Sequence, residues 1–354
     1  MFRALWRLLI YYTMRPDLQI TFPEVKDGQL KRLLIWASFA SQNLYNDKNA
    51  FEFLKENAEF FYHASKYDNF LPHNNISDLP KEFFILGAGR SGTTLLKRIF
   101  NCHSQTAGVE EGRTYQGISN PFLLRMEKMF SSDKKLVALK GPAITDCLLS
   151  DDFIQFPIPG FADNVGERFR KYYSNQPIIF LYRDVRDRVS SMINLGKRTG
   201  VNLDGLAKTF EKWIEKNPFI QRNFADEIVK IKKFKKPIFA YEALDWKVKN
   251  FALFAYKERN YPVLDVRYEN LSKDTSTELK RMTEFLKIPY EETMLEFYKM
   301  PHPGLKSVGV DSNLDKTTRN TDNKSVGLYK DSLNQEQTDQ VMEIAEDMMK
   351  KLGY

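Results

Sequence analysis

The chain has 354 residues, of which 42% are hydrophobic, 28% are charged and 14% are aromatic. This composition is typical of a globular protein with a sizeable core, and it excludes a disordered, collagen-like or low-complexity chain. The formal net charge is only +7. This mild excess suits a small anionic ligand at least as well as nucleic acid, whose binders concentrate positive charge on one face, so no nucleic-acid partner is predicted.

The cysteine content bears on the compartment and on metal binding. There are two cysteines, Cys102 and Cys147, and no CxxC motif or Cys/His pair at metal-ligand spacing. The sequence therefore predicts neither a disulfide framework nor a metal site. A reducing compartment, the cytoplasm, is the expected location.

Residues 1–80 are predicted to form a helical extension. Segments 29–47 and 48–66 carry apolar residues at intervals of three and four, the spacing of an amphipathic helix. The longest uncharged run near the start, 8–14, is far shorter than the ~20 residues of a membrane-spanning helix. The first helix is expected to pack on its own domain, and contact with a membrane surface is the less favoured alternative.

Beyond residue 80, short apolar runs alternate with helix-length segments, which predicts a parallel α/β sheet with helices on both faces. Strands are predicted at 83–87, 135–140, 177–182, 237–241 and 262–268, with helices from about Thr93, after residue 182 and from about Asp274. The expected fold is a P-loop-like three-layer α/β domain over 81–354, preceded by the extension over 1–80. The lysine-rich stretch 228–237 is predicted to be a solvated helix end, or else a docking patch for an acidic partner.

The segment FFILGAGRSGTTLLKRIF (83–100) combines an apolar strand, a glycine turn and a helix. Glycines at 87, 89 and 92 allow main-chain N–H groups to point inward, beside a helix N-terminus with partial positive charge. The spacing of Gly87 and Gly92 matches the nucleotide triphosphatase loop, but Thr93 occupies the lysine position and Arg90 lies inside the loop. The loop is therefore predicted to bind a phosphate or sulfate group rather than Mg-ATP in the usual way. The alternative is a turn that needs glycines only for its conformation.

Further polar side chains fall at the carboxyl ends of predicted strands. Lys140 follows LVAL, Arg183 follows PIIFLY, and Tyr268 follows VLDVR. Ligands of open α/β sheets bind at this edge, so one ligand could contact all of these residues. Arg183 and Ser191 could supply a guanidinium fork and a hydroxyl group to a second phosphate.

These motifs resemble the sulfotransferases that use 3′-phosphoadenosine 5′-phosphosulfate (PAPS). The family's 5′-phosphosulfate loop is resembled by GAGRSGTTLL, and its 3′-phosphate motif by LYRDVRDRVSSMI. A strand of the family is resembled by VRYENL. Within this family, the chain is most similar to tyrosylprotein sulfotransferases and their bacterial relatives. The segments that carry this similarity are RSGTTL, His103, EEGR (110–113), FLKIP (285–289), SVG (325–327) and the terminal KLGY. The resemblance spans 83–354 and implies PAPS as co-substrate, with PAP as product and no metal.

The resemblance also implies roles for individual residues. The 5′-phosphosulfate would be held by Arg90, Ser91, Gly92, Thr93, Thr94 and Leu95. The 3′-phosphate would be held by Arg183 and Ser191, with Tyr268 near the adenine. Glu111 corresponds to the catalytic base, and Lys140 and Arg90 to the groups that stabilise the transferring group. Further PAPS contacts are implied for Ser312 and Lys324. Arg113 matches an arginine that holds an acidic peptide, whereas Gly117 replaces a second.

The sequence predicts a reaction class but leaves the acceptor open. A sulfuryl group would pass to a hydroxyl or amine of a small molecule, a glycan or a peptide. His103 is the rival base, and Glu110 with Glu111 could instead be solvated loop acids. A P-loop kinase and a non-catalytic adenosine-nucleotide sensor are the alternative functions. The first is disfavoured by Thr93 at the lysine position, and the second by the presence of both Glu111 and Lys140. The sequence does not indicate an oligomeric state.

Overall fold

The structure is a computed structural model that describes residues 79–119, 133–150, 165–173, 175–299 and 325–354, with residues 124, 128, 131, 152–154 and 156 between them. Residues 80–119 and the described part of 131–354 belong to one compact unit. The predicted helices of 1–78 and the predicted PAPS contacts Ser312 and Lys324 lie outside the described residues.

The described unit is built on a sheet of five parallel strands in the order β2-β3-β1-β4-β5. The strands are β1 (Lys81–Gly87), β2 (Thr106–Val109), β3 (Leu136–Lys140), β4 (Ile178–Tyr182) and β5 (Val263–Arg267). Because all five run in the same direction, their carboxyl ends meet along one edge of the sheet.

Helices connect and cover the strands. They are α1 (Thr93–Phe100), α2 (Glu111–Ser119), α3 (Val165–Tyr172), α4 (Val185–Arg198), α5 (Leu203–Lys216), α6 (Pro218–Asn223), α7 (Ala225–Ile231), α8 (Ile238–Glu258), α9 (Tyr268–Lys273), α10 (Thr275–Phe285), α11 (Tyr329–Ser332) and α12 (Gln335–Lys351). Short 3-10 helices cover Pro142–Ile144 and Glu292–Lys299. No helix in the described part of the chain combines the length and the apolar character needed to cross a membrane.

The core lies on both faces of the central strand β1. Phe83 packs edge-on against Phe100 of α1, with ring centroids 4.9 Å apart. The next residue, Phe84, points to the opposite face and contacts Phe169 of α3 at 4.8 Å and Tyr173 at 5.5 Å. Successive strand side chains alternate between faces, so the continuous apolar run Phe83–Leu86 of β1 has helices packed on both sides. The predicted P-loop-like α/β architecture is confirmed.

One predicted element is wrong, and one strand of the sheet is missing from the prediction. The run 237–241 was predicted to be a strand, but it forms the start of α8, which begins at Ile238 after Pro237. This 21-residue helix is buried along most of its length, so its first turn has the continuous apolar character of a buried strand. The edge strand β2 was not predicted, because its four residues, TAGV, include a glycine and are too few to show a pattern.

Candidate active site

The turn after β1 has a backbone that requires glycine at two positions. Gly87 has a φ of 129°, and a Cβ atom there would lie 2.0 Å from the carbonyl oxygen of Leu181. Gly92 has a φ of 101°, and a Cβ atom there would lie 2.6 Å from the ring of Tyr268. Arg90 also has a left-handed conformation, with a φ of 72°. The loop is therefore a tight turn packed directly against β4 and the start of α9.

Helix α1 begins immediately after this turn with no side chain capping its N-terminus. Gly92 is the N-cap residue, and the first turn contains no acidic residue. The first N–H groups of a helix have no partner within it and carry partial positive charge. Beside them the hydroxyl group of Ser91 is fully buried and has no hydrogen-bond partner among the described residues. These donors form a site for an anion.

The predicted 3′-phosphate residues lie against the loop. The Nε atom of Arg90 donates to Oγ of Ser191 at 3.1 Å. Arg183 donates from Nη1 to the carbonyl oxygen of Arg90 at 3.3 Å, and its Cζ lies 4.6 Å from the ring centroid of Tyr268. The buried Nε of Arg183 has no partner within the described part of the chain. The structure thus brings together Arg90, Arg183, Ser191 and Tyr268, which are far apart in the sequence.

The charge balance of this region favours an anion. The pKa of Arg90 is lowered to about 10, mainly by burial and in addition by the positive charges of Arg183, Arg198 and Arg188. Mutual repulsion between guanidinium groups is relieved when an anion binds between them. The unpartnered donors and the repulsion between arginines together fit a phosphorylated ligand.

A second group of polar side chains lies at the ends of β2 and β3. Glu111 begins α2 just after β2, and its Oε2 atom lies 2.8 Å from Nζ of Lys140, the last residue of β3. The hydroxyl group of Tyr115 donates to Oε1 of Glu111 at 2.6 Å. The Glu111 side chain is 36% exposed, whereas that of Lys140 is 9% exposed. Glu111 is therefore an oriented carboxylate that solvent reaches, not a free loop acid.

The other two candidate acid–base residues have different surroundings. Glu110 forms an ion pair with Lys97 of α1. His103 is buried, with Nε2 2.7 Å from the carbonyl oxygen of Pro289 and Nδ1 accepting from the N–H of Gln105 at 3.0 Å. These contacts fit a neutral ring with its proton on Nε2. Both nitrogens of His103 thus bind main-chain groups.

A buried ionic cluster beneath the loop was not predicted. Arg188 is 1% exposed and donates from Nε to the carbonyl oxygen of Gly89 at 3.2 Å. Its two terminal nitrogens bind the carboxylates of Glu242 and Asp245 on α8, and Asp245 also contacts Lys249. The available signal is the spacing of Glu242, Asp245 and Lys249, which places three charged residues along one side of α8. Arg188 connects the loop to α8.

The described C-terminal segment also contacts the arginine side of the site. Arg183 donates from Nη2 to the carbonyl oxygen of Ser325. Asp187 accepts from the N–H groups of Gly327 at 2.7 Å and Tyr329 at 3.0 Å. The RDVRD motif therefore both begins α4 and anchors the SVG segment.

The topology orders these groups along the carboxyl edge. Glu111 follows β2, Lys140 ends β3, the anion loop follows β1, Arg183 follows β4 and Tyr268 follows β5. The proton-accepting candidate and its lysine thus lie on one side of the loop, and the arginine and aromatic groups on the other. Two chemically distinct groups of side chains therefore lie on either side of the loop, at the edge of the sheet where open α/β folds bind ligands.

Comparison with known proteins identifies the family. A sulfotransferase domain model matches residues 169–353, and a second sulfotransferase family model matches residues 80–151. The chain belongs to the sulfotransferase family, a class of transferases that move sulfuryl groups. The family resemblance seen in the motifs is confirmed.

Three similar proteins illustrate the range of the family. Protein-tyrosine sulfotransferase A of Caenorhabditis elegans is 23% identical over 295 residues, which are 77% of this chain and 66% of that protein. The sulfotransferase domain from the curacin biosynthetic pathway is 16% identical, with 78% of this chain and 99% of that one covered and a TM-score of 0.44. The sulfotransferase domain from the Synechococcus PCC 7002 olefin synthase is 15% identical, with 77% and 95% covered and a TM-score of 0.48.

Proposed function

We propose that the protein transfers a sulfuryl group from PAPS to a hydroxyl or amine of an acceptor. The observation that carries this proposal is the separation of two sites along one sheet edge. Two arginines and an uncapped helix N-terminus form an anion site, and the Glu111–Lys140 pair lies on the far side of the loop. A transferase needs both, one to hold the donor and one to activate the acceptor.

The residues present fit PAPS. The ligand carries two separate anionic groups, and the site has unpartnered buried donors in both places, Ser91 Oγ in the loop and Arg183 Nε beside it. We assign the 5′-phosphosulfate to Arg90 and the main chain of 91–95, and the 3′-phosphate to Arg183 and Ser191. Tyr268, which is 8% exposed and whose ring lies beside Arg183, is assigned to the adenine side. Ser312 and Lys324 remain assignments from the family resemblance.

Each assigned residue has a defined chemical task. When bound, PAPS supplies the sulfuryl group and a phosphate leaving group. Lys140 and Arg90 would supply positive charge to stabilise the leaving oxygen as it gains negative charge. Glu111 uses two of its carboxylate lone pairs for Lys140 and Tyr115, which leaves others to accept the acceptor proton.

The acceptor classes remain those implied by the sequence: a small molecule, a glycan or a peptide. The name of the Caenorhabditis elegans relative supports a protein tyrosine as one candidate, and Arg113 on α2 could contact an acidic peptide. The sequence has only two cysteines and no CxxC motif, which supports the proposed cytoplasmic location.

Thermal shift with and without Mg²⁺ tests the donor assignment. A ligand that binds only the folded state stabilises it by about 2.7 kcal/mol at a hundred times its Kd. PAP is expected to raise the Tm without Mg²⁺, and adenosine 5′-phosphate, which lacks the 3′-phosphate, is expected to raise it less. Stabilisation by Mg-ATP but not by PAP would instead support a kinase. Stabilisation by PAP, but no transfer to any acceptor class, would support a nucleotide sensor.

A further inference from the structure

The hydroxyl group of Tyr115 joins the candidate base to the turn that follows Lys140. It donates to Oε1 of Glu111 at 2.6 Å and accepts from the main-chain N–H of Ala143 at 2.9 Å. Glu111 and Tyr115 are one turn apart on α2, whereas Ala143 lies in the 3-10 turn after β3. One buried oxygen atom thus links the two elements that carry Glu111 and Lys140.

The environment of Tyr115 suits a permanent hydrogen-bond donor. The residue is 7% exposed. Burial raises its pKa well above the ordinary value, and the neighbouring Glu111 charge raises it further. The phenol therefore stays protonated across the working range and does not compete with Glu111 as a base. Because its oxygen accepts from Ala143, its own proton is directed toward the carboxylate.

We propose that Tyr115 is a positioning residue that fixes the carboxylate of Glu111 for proton abstraction. This proposal rests on the assignment of Glu111 as the base of a sulfuryl transfer. With Oε1 held by Tyr115 and Oε2 held by Lys140, the carboxylate cannot rotate about its Cγ–Cδ bond. The base–orienter pair is a recurring arrangement in activated nucleophile sites.

Loss of the hydroxyl group frees this rotation. Both carboxylate oxygens could then approach Lys140, and the proton-accepting lone pairs would move. A misplacement of about 1 Å can cost about 10²-fold in rate. We therefore expect Tyr115→Phe to lower kcat by roughly 10- to 100-fold while leaving the affinity for PAP within about twofold of wild type.

The pH profile supplies a readout that a purely structural role would not move. A donor to a carboxylate favours its ionised form, so its loss should shift the acid limb of kcat/KM to higher pH. The other charged groups around Glu111 are unchanged by the substitution. They include Lys140 from β3, Glu110 on the same segment, Arg113 on α2, whose charge lowers the pKa of Glu110, and Lys97 from α1, which pairs with Glu110.

The experiment compares Tyr115→Phe with a matched loss of a buried hydroxyl group. Tyr256 on α8 is fully buried, and its hydroxyl has no hydrogen-bond partner among the described residues. Tyr256→Phe should keep wild-type kcat and an unshifted pH profile. All variants are assayed with PAPS and the best substrate from a panel of phenols, alcohols, amines and a tyrosine peptide, and PAP binding is measured by calorimetry.

A double-mutant cycle with Glu111→Gln separates positioning from general stability. If Tyr115 acts through Glu111, adding Tyr115→Phe to Glu111→Gln should lower kcat by less than about twofold further, since coupled residues are strongly non-additive. Wild-type kcat in Tyr115→Phe alone, or a full additional loss in the double variant, would overturn the inference. Wild-type kcat in Glu111→Gln would instead overturn the base assignment itself.

Discussion

Replacing Arg183 should remove discrimination for the 3′-phosphate. Two of the five guanidinium N–H donors of Arg183 bind main-chain carbonyl groups, those of Arg90 and Ser325. The Nε donor is buried and has no partner among the described residues. Enough donors therefore remain for a forked contact with a phosphate.

The size of the effect follows from these contacts. A hydrogen bond to a charged group is worth about 1.5–3 kcal/mol, or roughly 10- to 150-fold in Kd. Arg183→Met should weaken PAP binding by that factor. Arg183→Met also removes the donors to the loop and to the segment at Ser325, but this loss affects every adenosine nucleotide alike. The ratio of Kd values for PAP and adenosine 5′-phosphate is therefore the informative quantity.

Calorimetric titration of both nucleotides at fixed ionic strength measures this ratio. Ser191→Ala should change it in the same direction by a smaller factor, roughly 2- to 12-fold for one neutral hydrogen bond. Arg222→Met, which removes an exposed arginine that pairs with Asp152, should leave the ratio unchanged. Equal losses of affinity for both nucleotides in Arg183→Met would refute the assignment of Arg183 to the 3′-phosphate.

Three further substitutions test other parts of the site. Glu111→Gln should lower kcat by about 10²–10⁴-fold with near-normal PAP affinity, and Glu110→Gln should have a milder effect in the same steady-state assay. His103→Ala should lower the Tm but leave kcat of the folded protein close to wild type, because both ring nitrogens bind main-chain groups. An inactive variant with a wild-type Tm would contradict this. Gly92→Ala should abolish PAP binding in titration, since its Cβ atom would lie 2.6 Å from the ring of Tyr268; wild-type affinity would be inconsistent with the tight loop.

The sequence predicts which polar residues lie at the carboxyl edge of the sheet, because their placement depends on strand direction. Lys140, Arg183 and Tyr268 each follow an apolar run, and parallel strands end at the same edge. The register confirms this placement, since Lys140 of β3 lies beside Ile85 of β1. The prediction of a strand at 237–241 is wrong because this run begins the buried helix α8, and a helix that is buried around its circumference shows no amphipathic period.

Contacts between distant segments could not be predicted in the same way. The pairing of Glu111 and Tyr115 is local, at one helical turn, but the contact of Tyr115 with Ala143 depends on how the turn after β3 packs against α2. The same holds for Arg188, whose partners Glu242 and Asp245 lie more than fifty residues away on α8. Buried polar networks of this kind are set by tertiary structure, because each member is stable only when all its partners are in place.

Transfer of labelled sulfur from PAPS tests the central claim most directly. The protein is incubated with PAPS labelled in its sulfuryl group, without Mg²⁺, and with phenols, alcohols, amines, glycans and tyrosine peptides, and products are analysed by mass spectrometry. We expect one acceptor to gain an SO₃ group, in a reaction that releases PAP and is nearly lost in Glu111→Gln. Transfer of a phosphoryl group from Mg-ATP to the same acceptors, with no SO₃ product from PAPS, would contradict it.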